Sequence, residues 1–326
     1  MRKYKKQTII LLIIALLILP HILDIYWLDV LTLVLFYVVL VQGLNIVVGY
    51  TGLLDLGYAA FFAVGAYTTA ILMTTFHWSF WLTLPVAFVL AALAGVIVGT
   101  PTLRLRSDYL AIVTLGFGEI VRILATNLEI TGSASGIYGI PRPTIGSYVL
   151  SSQKDFYYLI LVVAILSIIV VYRLGHSRIG RAWIYIREDE DAAEAMGINR
   201  VRLKLLSYAS GAVIGSLAGS IFAVKMTAIA PLSFSFLQSI MILLAVVLGG
   251  LGSISGVVIG AVIVIVLPEM LRGVEEWRHL IFGVALVIMM IFRPQGIWPP
   301  KYDADDEDLD DSEKIDPNDK KQTMSV

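Results

Sequence analysis

Residues 178–208 read RIGRAWIYIREDEDAAEAMGINRVRLKLLSY. This charged island stands between two apolar runs, 155–173 and 205–225. Each run is about as long as the 20 or so residues a helix needs to cross a bilayer. A charged loop between two such runs belongs at a membrane surface, and the same reading extends both ways along the chain. Ten apolar candidates emerge: 8–23, 29–49, 58–76, 80–100, 108–128, 155–173, 205–225, 236–250, 254–271 and 278–293. Composition agrees. Of 326 residues 58% are hydrophobic and 15% charged, with mean hydropathy +0.84, whereas soluble domains carry about 25% charged residues. The expected fold class is an all-α polytopic membrane protein with about ten transmembrane helices. Two stretches stay open: the Gly-rich 49–57 suits a broken or re-entrant segment, and 108–128 carries Glu119 and Arg122 inside an apolar run. The first run follows MRKYKK as a signal-peptide core would. Leu19-Pro20-His21 stands where a small-residue cleavage site belongs, so an uncleaved anchor is expected.

Charge sets the orientation. With a cytoplasmic N-terminus and ten alternating helices, the inside segments hold Lys/Arg clusters at 2–6, 104–106, 173–204 and 293–321. These make 18 of the 24 Lys and Arg; five fall outside and Arg122 lies within a span. That bias follows the positive-inside rule and puts both termini in the cytoplasm. The expected organisation is a basic tail over 1–7, a transmembrane domain over 8–302 and an acidic tail over 303–326. The domain includes an external loop at 129–154 and a cytoplasmic loop at 174–204. Ten acidic residues crowd between Asp303 and Asp319, and such a tail reads as disordered and solvated.

Several chemistries lack their residues. Without cysteine there is no disulfide, thiol nucleophile or Cys-ligated metal. No phosphate-binding G-x-x-x-x-G-K-[ST] loop, H-E-x-x-H or G-x-S-x-G occurs. His21, His77, His176 and His279 lie near span ends and read as interfacial residues rather than ligands. The expectation is a non-enzymatic chain with no cofactor, no metal and no nucleic-acid partner.

Inside the charged loop, Glu188, Asp189, Glu190 and Asp191 crowd a helix start, where the macrodipole favours negative charge. Ala192, Ala193 and Met196 follow on one face, and Gly197 takes the position just past the helix end. The spacing predicts a helix of about nine residues, 188–196. It is either a solvated loop helix or a docking helix whose alanines allow close backbone approach.

Asp191-Ala192-Ala193-x-x-x-Gly197 resembles the E-A-A-x-x-x-G loop of ABC importer permeases, with Asp for Glu. More specifically, the chain resembles the M-type permeases of branched-chain amino-acid ABC importers. The resemblance rests on Gly52-Leu53-Leu54-Asp55-Leu56-Gly57 running on to Gly65-Ala66-Tyr67, TLGFGEIVRIL at 114–124, and TGSASGIYGIP at 131–141. The block 178–205, LGGLGSISGVVIGA at 248–261 and IFRPQGIWP at 291–299 complete it, in collinear order over about 30–302. The acidic tail departs from the pattern. The resemblance implies an ABC importer permease fold in a bacterial cytoplasmic membrane, passing Leu, Ile or Val. It implies an H-type permease partner, two ATPase subunits and an extracytoplasmic solute-binding protein. Asp191, Ala192, Ala193, Met196 and Gly197 would then form the helix that couples to the ATPase.

Charges inside the membrane are functional candidates. Glu119 and Arg122 share a helix face. They read either as a structural or inter-subunit ion pair or as a translocation or gating element. Asp55, in the Gly-flanked break, reads as a cap on a half-helix or as a substrate contact. Gly211, Gly215 and Gly219 form a small-residue stripe suited to close helix packing. Competing readings are a permease for urea, short amides or other amino acids, a proton-coupled secondary transporter, and, last, an intramembrane enzyme.

Overall fold

A computed structural model describes residues 16–102, 107–271, 283–284, 287, 291–293 and 295–300. The apolar candidate at 278–293 and both tails fall wholly or largely outside these residues, as does the first half of 8–23; 16–22 are helical. Ten helices follow. They are α1 (Ile25–Leu44), α2 (Ala59–Thr74), α3 (Phe80–Thr102), α4 (Ser107–Asn127), α5 (Gln153–Gly175), α6 (Arg178–Glu188), α7 (Glu190–Ala195), α8 (Arg200–Met226), α9 (Phe236–Gly249) and α10 (Ile254–Met270). Among the described residues six helical stretches are long and apolar enough to cross a membrane, accompanied by two shorter apolar helices, α2 and α10.

Local sequence sets the helix starts. Ser152 and Asp155 form a reciprocal capping box on α5. Ser177, Asn199 and Ser253 each accept a first-turn backbone N–H at the start of α6, α8 and α10. Asp155 also accepts the Tyr148 hydroxyl at 3.2 Å in the preceding loop, and its carboxylate raises that phenol's pKa above the ordinary value.

The core is built around α8. It packs against α2, α3 and α1, while α5 lies on α1, and α9 and α10 pair beside α1. Contacts along α1 and α8 show that they run antiparallel. Asp29 meets Lys225, Gly43 lies against Gly211, and Thr51 meets Ser207. From residue 29 to 49, at 1.5 Å rise per residue, is roughly 30 Å, the thickness of a hydrocarbon core. The two ends of the bundle are therefore about one hydrocarbon thickness apart. One end gathers α6, α7 and the 250–253 turn. The other gathers the 128–152 loop.

The all-α expectation needs a small correction. Four two-residue strands form two antiparallel pairs, Ile137–Tyr138 with Ala228–Ile229 and Thr144–Ile145 with Tyr148–Val149. The long loop is thus tied to the turn after α8, and the Trp81 indole donates to Thr144 O at 2.8 Å.

Candidate functional site

The charged loop is two helices, not one. The sequence suggested a single helix over 188–196; instead Glu188 closes α6 and Asp189 starts α7, which has six residues. The Asp189 carboxylate accepts the N–H groups of Asp191 and Ala192 at 3.0 and 2.9 Å, and a residue so used ends the preceding helix. The other end of α7 stops as the glycine suggested. Gly197 has φ +83°, its N–H bonds Glu194 O at 2.9 Å, and the Ile198 N–H bonds Ala193 O at 3.1 Å. This is the Schellman arrangement.

The expected apolar face is also revised. Ala193 turns inward and is 4% exposed, while Ala192, Ala195 and Met196 face outward. The cause is a set of ion pairs that fixes the rotation of so short a helix. Arg200 reaches Glu194 at 2.9 Å and Glu190 at 3.4 Å, and Lys204, almost wholly buried, reaches Glu190 at 2.6 Å. These bonds anchor α7 to the first turns of α8.

Helix α6 is anchored just as firmly. Trp183 is completely buried and donates to Leu203 O at 2.8 Å. Arg187 donates to Gly49 O at 2.6 Å, and a Cβ at Gly52, where φ is +69°, would stand 3.0 Å from the Arg187 side chain. The loop is therefore joined to α8 through α7 and Trp183, and to the end of α1 through Arg187. Trp183 was not singled out in the sequence. The buried positions Gly180, Trp183 and Ile186 recur at i, i+3, i+6, and that spacing was the available signal.

Arg187 meets α1 where that helix changes pitch. Asn45–Tyr50 is a π-helical segment, and the chain then leaves helical geometry until Tyr58. Such segments recur at functional sites. Here Asn45 accepts the Gly252 N–H at 2.9 Å and Thr51 donates to Val47 O at 2.6 Å. Asp55 lies in this break, 1% exposed, and accepts the Gly57 N–H at 2.7 Å; its Oδ2 has no partner among the described residues. Asp55 thus folds the turn ahead of α2 instead of capping a first-turn amide. The Ala59 N–H is taken by Ser239 from α9, and the Leu56 N–H by Thr114 from α4.

Glu119 and Arg122 form the ion pair their spacing allows, with Arg122 Nε 2.9 and 3.1 Å from the two carboxylate oxygens. Their side chains are 38% and 26% exposed, on a helix whose apolar stretch is only 22% buried within the chain. The structure brings neither of them to Asp55 or to the α7 end. Gly211, Gly215 and Gly219 lie inside the bundle. A Cβ at Gly219 would stand 2.0 Å from Phe62 O, and one at Gly211 2.9 Å from Gly43 O. Among the described residues no group of three or more His, Asp or Glu gathers as a metal site.

The family model described as branched-chain amino acid transport system / permease component matches residues 26–291. The chain belongs to this family. It is 43% identical to the high-affinity branched-chain amino acid transport system permease protein LivM of Escherichia coli K12, over 83% of this chain and 69% of that protein. It is 29% identical to the probable branched-chain amino acid transport permease protein LivM of Methanocaldococcus jannaschii, over 66% and 68%. The LivH permease of E. coli K12 is 23% identical over 80% and 90%. No solved structure matches the chain. As a member of the permease family the chain is a multi-pass membrane protein and a transport subunit.

Proposed function

We propose that this chain is the M-type permease subunit of an ABC importer for leucine, isoleucine and valine in a bacterial cytoplasmic membrane. It crosses the membrane about ten times, with both termini and the α6–α7 end in the cytoplasm. It pairs with an H-type permease, two ATPases and an extracytoplasmic binding protein. The observation that supports coupling is the anchored α7. Ala192, Ala195 and Met196 stand outward on a helix held by Arg200 and Lys204, so a push on that surface moves α8 and, through Arg187, the π segment of α1. Small side chains there let a partner's backbone come close.

Helix α4 supports the position of the translocation path. Charged residues at the centre of a lipid-facing helix cost about 2.5–3.5 kcal/mol each on insertion scales. The partly exposed Glu119–Arg122 pair therefore belongs against protein or water: the face toward the second permease and the path between them.

Reconstitution with all four partners tests the reading. ATP-dependent uptake of leucine, isoleucine and valine is expected, with fructose excluded. Fructose is the informative control because the fructose import permease FrcC of Rhizobium meliloti is 30% identical over 60% of this chain. Uptake of fructose or urea in place of the amino acids would replace the assigned substrate.

A further inference from the structure

The two glycines of Gly116-Phe117-Gly118-Glu119 serve different ends. Gly118 is needed inside the chain, since its Cβ would stand 3.1 Å from Gly57 Cα in the break before α2. Gly116 is not: a Cβ there meets no neighbouring atom within 4 Å among the described residues. A glycine in a helix interior is unfavourable relative to alanine, so the missing side chain at 116 answers to something beyond the described residues. It lies one turn before Glu119, between the exposed Ile112 and Ile120, and Ile123 continues the apolar strip. The face thus carries a gap, an aliphatic strip and one acid beside one base.

We propose that this face of α4 is a transit subsite for a zwitterionic aliphatic amino acid, with Glu119 taking its ammonium, Arg122 its carboxylate and the gap at Gly116 its side chain. The proposal rests on the permease reading above and assigns residues to it. Charge complementarity carries it. Glu119 and Arg122 are bonded to each other. When a zwitterion inserts, each exchanges one opposite charge for another, and no ion is left unpaired in a medium where that is costly. The exchange is close to neutral, as conduction requires of a site that a solute must both enter and leave. An uncharged or singly charged solute cannot make it without stranding Glu119 or Arg122.

The test uses the complete importer in proteoliposomes. Glu119→Gln and Arg122→Gln are each expected to lower leucine uptake about ten- to hundred-fold, the loss of one charge-assisted hydrogen bond, with the complex recovered in normal amounts. The exchanged pair Glu119→Arg with Arg122→Glu keeps an ion pair but reverses its polarity along the strip, and it is expected to leave uptake low. Gly116→Val is expected to lower leucine uptake relative to alanine by about tenfold, as one or two methylene-sized groups in an apolar site do. Restoration of uptake by the exchanged pair would overturn the proposal, because any ion pair would then serve. So would loss of complex recovery in the Gln variants with Gly116→Ala harmless, which would make the face a subunit contact. If wild-type importer carries none of leucine, isoleucine and valine, the permease reading fails with it; if it carries them and all variants do too, only the subsite fails.

Discussion

Helices α8 and α4 look alike as sequence and differ as structure. Each is an apolar run interrupted by glycines and polar residues at helical spacing. In α8, 61% of the apolar stretch is buried within the chain; in α4, 22% is. The glycines of α8 let the backbones of α1 and α2 approach, and Ser220 donates to Gly65 O at 3.3 Å. Helix α4 turns its ion pair and Gly116 away from the other described residues. Small and polar residues in a membrane helix thus announce close contact, while the atoms around each Cβ tell whether that contact is internal.

The largest expected effect tests this division. Gly219→Leu places its side chain against Phe62 O, where a Cβ has 2.0 Å, and backbone cannot move aside as a side chain can. Overpacking costs about 1–3 kcal/mol even where neighbours relax, so the yield of folded protein in detergent should fall severalfold. Gly116→Leu should leave that yield at the wild-type level. Equal losses at both positions would mean that α4 is packed within the chain after all.

Next comes the end of α7. Gly197 has φ +83° and free space around its Cα, so Gly197→Val acts through backbone strain alone, about 1–2 kcal/mol for a residue in the left-handed region. In a helix of six residues that should displace the last turn. ATP-driven uptake should drop severalfold while folded yield holds, and Gly197→Asn, which tolerates this conformation better, should retain more uptake.

A smaller effect separates the two faces of α7. Ala193→Arg buries a charge within the chain and should lower the melting temperature of the purified subunit. Met196→Arg, at a position 84% exposed, should leave that temperature within a degree or two and weaken recovery of the ATPase subunits. The opposite pattern would reverse the assigned faces.

The sequence carried the multi-span helical character, the charged loop and the glycine that stops α7, because each depends on local composition or on one residue's φ. The rotation of α7 was hidden, since it depends on Arg200 and Lys204 reaching back to Glu190 and Glu194. The split at Asp189 was hidden too: a run of four acids does not say which one caps. Asp55 stood out as a charge in a Gly-flanked break, but the groups that hold the neighbouring Leu56 and Ala59 amides, Thr114 and Ser239, come from α4 and α9, far along the chain. Arg187 was one arginine among several until its bond to Gly49 O joined the loop to the π segment.

The central claim is that the α6–α7 end faces the cytoplasm and receives the ATPase. The chain has no native cysteine, so single replacements report cleanly. Met196→Cys, just past the end of α7, and Tyr138→Cys in the 128–152 loop, both exposed, should be probed with a membrane-impermeant thiol reagent in oriented vesicles. Tyr138→Cys should react from outside. Met196→Cys should react only from inside, and adding the ATPase subunits should protect it. Reaction of Met196→Cys from outside, or reaction from inside that the ATPases leave unchanged, would contradict the account.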